Sequence, residues 1–273
     1  MATMLQSFGN KKGPVIVCVP GLLGGAEDFR DMISRFQESH HLLVFDPNAE
    51  RREIGLNGLT LEIMQEIKFD CNADELAGEL KKFTNEPVWM CGISIGGKIV
   101  YDFAIKFPHL FRGGLITDVG LGPFSDSELF CFVEDIVDNI NLNQAWPELK
   151  KDLRAKISDD SLRSLIQSQV FYPTKKPPAA WKIGMASFKS MLNRQATDEQ
   201  FVPFENIDNI LAQKSSILHV MKATNLSAIN NSSYDRMSKL KSIKIHIIEN
   251  SSHFLQFTHK NIMLDLLQQM SEK

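Results

Sequence analysis

The stretch Val88-Trp89-Met90-Cys91-Gly92-Ile93-Ser94-Ile95-Gly96-Gly97 decides how the chain is read. Four mostly apolar residues run into Gly-x-Ser-x-Gly. Ile99, Val100, Phe103, Ala104 and Phe107 then recur at helical spacing until Pro108 ends the pattern. The pattern predicts a buried strand, a sharp turn carrying Ser94, and a helix packed on the sheet. A serine on such a turn has strained backbone and an exposed hydroxyl at the end of a sheet. Gly92 and Gly96 flank it because a side chain at either position would collide with the turned chain, and Gly97 lets the helix approach the sheet. With glycine near ~7% of residues, the bare motif arises by chance in roughly one chain in ten of this length. The strand before it and the helix after it make Ser94 a candidate nucleophile; chemistry still needs a base, an acid and an oxyanion hole.

On the N-terminal side, Met4–Phe8 reads as an edge strand, Asn10–Gly13 as a turn and Pro14–Val19 as a buried strand. Pro20-Gly21-Leu22-Leu23-Gly24-Gly25 is a glycine-rich loop leaving that strand. A helix over Asp28–Phe36, with Phe29, Ile33 and Phe36 inward, precedes a strand at His41–Phe45 that Asp46-Pro47-Asn48 ends. Residues 48–70 are irregular, and Ala73–Phe83 is amphipathic. On the C-terminal side, Gly114–Gly120 is a strand whose end carries Asp118. Alternating strand and helix predict a parallel sheet with helices on both faces.

From about 121 to 205 the rhythm breaks into helical stretches, Ser127–Ile140, Pro147–Ile157, Ser161–Val170 and roughly Ala179–Leu192. Strand patterns then resume at Ser216–Met221 and Ile243–Ile248, separated by a short helix at Tyr234–Lys239. The second of these suits an edge strand with one wet face, because its isoleucines alternate with Lys244 and His246. A loop holding His253 leads to a last helix. The organisation expected is a core domain of residues 1–120 and 206–273, interrupted by a helical lid over 121–205.

The 273 residues, 43% hydrophobic and 23% charged with a net charge of -3, fit a globular α/β chain without a like-charge block, which disfavours nucleic acid as a partner. The four cysteines are spread without Cys-x-x-Cys spacing, and Cys18 and Cys91 fall in buried strands. No leader pattern opens the chain and no apolar run reaches spanning length; together these favour a reduced, cytoplasmic setting without a membrane span. No metal constellation is visible, since His40-His41 lacks partners at ligand spacing, and no cofactor is expected.

Taken together, the pieces resemble the α/β-hydrolase superfamily in its lidded, esterase-like branch. The matching segments are Val19–Gly25 for the oxyanion loop, Phe45-Asp46, the elbow at Gly92–Gly97, Leu115–Val119 and Ser252-His253-Phe254, over roughly 14–120 and 215–270. The family order of nucleophile, acid and histidine is kept. There are two departures. Pro20 stands where many members have a histidine before the glycine. Ser227 stands where the common acid, after the strand following the lid, is expected to be an aspartate. The superfamily also has an alternative acid site at the end of the strand after the nucleophile helix, and Asp118 matches it. The competing reading of Asp118 is a strand-end cap on Gly120-Leu121-Gly122. Of the seven histidines, His253 alone lies on a loop beyond a strand's carboxyl end, where sheet-based sites form.

The resemblance implies a Ser94–His253–Asp118 triad, with the backbone N–H groups of Ile95 and Leu22 as the oxyanion hole. Phe130, Phe132, Phe171, Trp181, Met185, Phe188 and Met191 supply an apolar lid without clustered arginines, which suits an ester or thioester of a neutral, medium-sized acyl group. Lactones and carbon–carbon bonds beside a ketone are cleaved by relatives. The Pro20 and Ser227 departures keep a second class open, a ligand-binding signalling protein on a hydrolase fold with little turnover; a cofactor-free perhydrolase is a third reading.

Overall fold

Every central strand is apolar on both sides, and that sets the layering. On the strand Val15–Val19 (β2), Val17 and Val19 join the core on one face while Ile16 and Cys18 join the core on the other. On His41–Phe45 (β3), Leu43 and Phe45 divide from Leu42 and Val44 in the same way. Such strands bury well only between two helical layers. The computed structural model describes residues 4–21, 24–46, 73–122, 127–181 and 204–272.

The sheet also contains Leu5–Gly9 (β1), Val88–Ile93 (β4), Phe111–Thr117 (β5), Leu218–Ala223 (β8) and Ile243–Ile248 (β9), in the order β1-β3-β2-β4-β5-β8-β9. β1 pairs antiparallel with β3, and the remaining neighbours are parallel. One face is covered by Ala73–Leu80 (α2), Ile95–Lys106 (α3) and Phe204–Lys214 (α7), through residues such as Leu76, Phe103 and Leu211. Arg30–Phe36 (α1) and Lys260–Ser271 (α10) cover the other, through Met32, Phe36, Met263 and Leu267. Burying one such side chain fully stabilises the fold by about 1.5–3 kcal/mol.

Between β5 and α7 the described chain forms Glu128–Asn139 (α4), Trp146–Lys156 (α5), Asp160–Ser168 (α6) and a two-residue hairpin of Val170–Phe171 (β6) and Ala180–Trp181 (β7). Leu129, Phe130, Leu149, Leu153, Leu162 and Ile166 are buried in a core continuous with the α3 face of the sheet. Asn231–Met237 (α8) and Leu255–Thr258 (α9) complete the elements.

The expected order of elements is found, with local differences. The helix expected over Asp28–Phe36 begins as a 3-10 turn, Ala26–Phe29, and becomes α-helical only at Arg30. Met32 is fully buried there, while Ile33 is half-buried. The helix expected from Ala179 starts instead as β7, whose pairing with β6 gives its backbone a partner; residues 182–192 lie outside the described residues, as does the irregular stretch from 48 to 70. On β9 the isoleucine face is not uniformly covered. Ile243 is buried but Ile247, on the same face of this edge strand, is 49% exposed.

Candidate functional site

Ser94 lies between β4 and α3 with φ 50 and ψ -123, a conformation that costs a non-glycine residue about 1–3 kcal/mol. Its neighbours hold it there. The Ser94 N–H donates to the Thr117 carbonyl at 3.0 Å, and the Ser94 carbonyl accepts from the Gly97 N–H at 2.8 Å. A Cβ on Gly92 would lie 2.7 Å from the Gly97 Cα, and one on Gly96 would lie 2.3 Å from the Val19 carbonyl oxygen. Any side chain at either position would open the turn.

β5 ends at Thr117, and Asp118 turns away with φ 44 while its N–H still donates to the Met221 carbonyl at 2.7 Å. Its side chain is fully buried. Oδ1 accepts from the Ala223 N–H at 2.9 Å and the Ser227 hydroxyl at 2.6 Å. Oδ2 accepts from the Ala228 N–H at 2.9 Å and lies 2.8 Å from His253 Nδ1. Burial pushes the Asp118 pKa up. The hydrogen bond and charge of His253, the Ser227 hydroxyl and the Ala223 N–H outweigh it, and the pKa is held below its ordinary 3.8. The carboxylate therefore stays ionised and can only accept.

That fixes the histidine. Facing an acceptor, Nδ1 must carry the proton, so in the neutral ring Nε2 is an acceptor. His253 Nε2 lies 2.8 Å from Ser94 Oγ, and the serine hydroxyl donates to it. The imidazole is reached across β8, the strand between β5 and β9, by a pinned loop. Asn225 N–H donates to the Ser251 carbonyl at 2.9 Å, and Ser251 Oγ donates to the Ile248 carbonyl at 2.5 Å. Asp118, His253 and Ser94 thus form one hydrogen-bonded chain from a buried carboxylate to a hydroxyl that is half-buried at the surface of a cavity.

The cavity measures about 150 Å³. Leu129, Phe130, Val133, Leu162, Leu165 and Ile166 form its outer wall from α4 and α6. Ile93, Ser94, His253 and Phe254 form its inner wall, with Asp28, Gln256 and Phe257 at the side. Among the described lining residues there is no lysine or arginine. Nor could any group of three or more His, Cys, Asp or Glu among the described residues hold a metal ion.

No family model matches the sequence, and no curated protein does. Solved structures do match in three dimensions. A marine microorganism esterase superposes with a TM-score of 0.66 at 16% identity, covering 97% of this chain and 98% of that one. The thioesterase domain from a curacin biosynthetic pathway gives 0.60 at 10% identity, covering 97% and 94%. Est816, an N-acyl homoserine lactone degrading enzyme, gives 0.58 at 16% identity, covering 97% and 95%.

The chain has the α/β-hydrolase fold.

Within this fold the expected residues divide. Ser94, Asp118 and His253 come together. The Asp118 carboxylate accepts from Ala223 at the end of β8 and from Ser227 and Ala228 beyond it, and it lies against His253. Ile95 is the first residue of α3, where a helix leaves its N–H groups without intrahelical acceptors. Leu22 lies outside the described residues, so the second expected oxyanion donor is not described. Of the expected apolar lid residues, Phe130 lines the cavity. Phe132 and Trp181 pack instead against the core, Phe171 is half-buried in β6, and Met185, Phe188 and Met191 lie outside the described residues. Leu129 and Val133, and Leu162 and Ile166, each spaced i, i+4 on an amphipathic helix, were the missed signal for the outer wall. Asp235, the other carboxylate near the common acid position, is exposed on α8. No helix among the described residues is long and apolar enough to cross a membrane.

Proposed function

We propose that the protein is a serine hydrolase acting on an ester or thioester with a neutral, apolar acyl group, and that residues 121–205 are its lid. The observation that carries this reading is the hydrogen-bonded chain from Asp118 through His253 to Ser94 at the wall of an apolar cavity. His253 Nε2 takes the Ser94 proton as Oγ attacks the scissile carbonyl. Asp118 keeps Nδ1 protonated and stabilises the imidazolium that forms. The Ile95 N–H at the start of α3, with the Leu22 N–H as second donor, receives the developing oxyanion. His253 then returns the proton to the leaving alcohol or thiol. In the second half of the cycle it activates water to clear the acyl-enzyme.

The substrate class follows from the walls. A cavity of about 150 Å³ is of the size that takes a benzene ring, so an acyl group of about six carbons fits it. The absence of lysine and arginine from the described lining, together with Asp28 at its side, disfavours an anionic acyl group. The test is covalent labelling by a fluorophosphonate, run beside hydrolysis of p-nitrophenyl butanoate. Wild type is expected to label stoichiometrically and turn over. Ser94→Ala is expected to do neither while keeping its melting temperature within a few degrees. Equal labelling of the two proteins would rule out Ser94 as nucleophile. Labelling of wild type without turnover of any acyl ester would favour a ligand-binding role.

A further inference from the structure

Gln256 stands out among the cavity residues. It lies three residues after His253, at the second position of the short helix α9, and it lines the same cavity as Ser94. It is only 7% exposed, and its Oε1 is shielded from solvent without a hydrogen-bond partner among the described residues. A buried amide oxygen left unpaired carries the full desolvation penalty of the group, whereas an apolar side chain of the same shape would not. Leu255, its neighbour on α9, is fully buried in the apolar core, so this short helix packs without needing a polar group there.

We propose that Gln256 is a specificity-determining residue, whose carboxamide pairs with a neutral hydrogen-bonding group, a hydroxyl or an amide, on the acyl part of the substrate. This rests on the serine-hydrolase reading of the same site and refines its substrate class from a plain acyl group to a polar-substituted one. Three features support it. The carboxamide's oxygen is unspent beside the cavity that holds Ser94 and His253. A half-turn of the terminal amide exchanges its donor and acceptor ends without moving a carbon, so either a hydroxyl or an amide can be met. The α4 and α6 wall, including Leu129, Phe130 and Leu165, is apolar, and of the described polar side chains that line the cavity besides Ser94 and His253, Asp28 is a carboxylate that can only accept, whereas Gln256 can donate or accept. A site with a buried polar group discriminates strongly against the analogue that leaves the group unpaired.

The test compares three p-nitrophenyl esters of similar size, 3-hydroxybutanoyl, N-acetylglycyl and pentanoyl, on wild type and on Gln256→Met, a variant of similar shape without the amide. Wild type is expected to favour at least one of the two polar esters over pentanoyl by about tenfold or more in kcat/KM. Whichever polar ester is favoured tells hydroxyl from amide recognition. Gln256→Met is expected to lose that preference, the favoured polar ester falling by about tenfold or more relative to pentanoyl, and to melt no lower than wild type, since it removes an unpaired buried atom. The proposal is overturned if wild type has no preference for either polar ester, or if Gln256→Met slows all three by the same factor. Failure of the underlying reading looks different: wild type would then turn over none of the three, and Ser94→Ala would label as wild type does.

Discussion

β5 and β8 are paired neighbours in the sheet, but Asp118 at the end of β5 is a carboxylate and Ser227, beyond the end of β8, is not. The two positions nonetheless form one unit. Three of the four donors around the Asp118 oxygens come from β8 and its sequel, the Ala223 N–H from the strand's last residue and the Ser227 hydroxyl and Ala228 N–H from the segment after it. Ser227 Oγ also accepts from the Ile229 N–H at 3.0 Å, so the hydroxyl is oriented before it reaches the acid. The loop that lacks a carboxylate folds around one. What the difference teaches is that the carboxylate facing His253 is identified less by the loop that carries it than by where its oxygens lie against His253 Nδ1.

The strongest way to break that comparison is to remove the carboxylate. Asp118→Asn places an amide against Nδ1, which favours the wrong imidazole tautomer and is expected to lower kcat by roughly 10⁴-fold. If the two loops share one acid site, Ser227→Asp added to Asp118→Asn should regain about tenfold or more of that loss. Ester turnover of the single and double variants measures both. A loss under tenfold for Asp118→Asn would show that the acid is not Asp118, and no regain would show that the two positions are not equivalent.

A milder change keeps the acid and thins its shell. Ser227→Ala leaves Oδ1 with the Ala223 N–H alone. A hydrogen bond to a charged group contributes about 1.5–3 kcal/mol. The carboxylate keeps its remaining donors, so kcat is expected to fall about tenfold with KM unchanged, and Ser227→Thr, which retains the hydroxyl, should restore it. An equal rise in KM would instead point to a disturbed cavity.

Much of this site is legible in the sequence, for a physical reason. Ser94 is announced by local rules: a strand, a turn that only Gly92 and Gly96 permit, and a helix. Asp118 and His253 each follow a strand at its carboxyl end, and a parallel sheet gathers those ends on one edge. The role of Ser227 is not legible in this way. It is a hydrogen bond across 109 residues that depends on how one loop folds over its neighbour. Read alone, Ser227 is a vacant acid position; in place, it is a donor to the acid. β7 escaped for a similar reason, because a two-residue strand exists only through its pairing with Val170–Phe171. Gln256 carried no signal beyond its closeness to His253 in the chain, because its burial depends on how the segment packs.

The smallest expected effect is on stability against pH. The folded pKa of Asp118 lies below 3.8, and in the unfolded chain it returns to the ordinary value near 3.9. A carboxylate shifted in this direction contributes its stability fully above the unfolded value and loses it as pH falls through the lowered folded value. Wild type should therefore out-melt Asp118→Asn by a constant margin between about pH 5 and 7, and the margin should shrink as pH drops below about 4. Ser227→Ala removes one of the donors that hold the pKa down. Its own decline on acidification should be smaller than that of wild type and end at a higher pH. Melting curves collected from pH 3 to 7 test both statements. A margin between wild type and Asp118→Asn that stays constant down to pH 3 would mean that the Asp118 pKa is not lowered in the folded protein; a margin that grows on acidification would mean that it is raised.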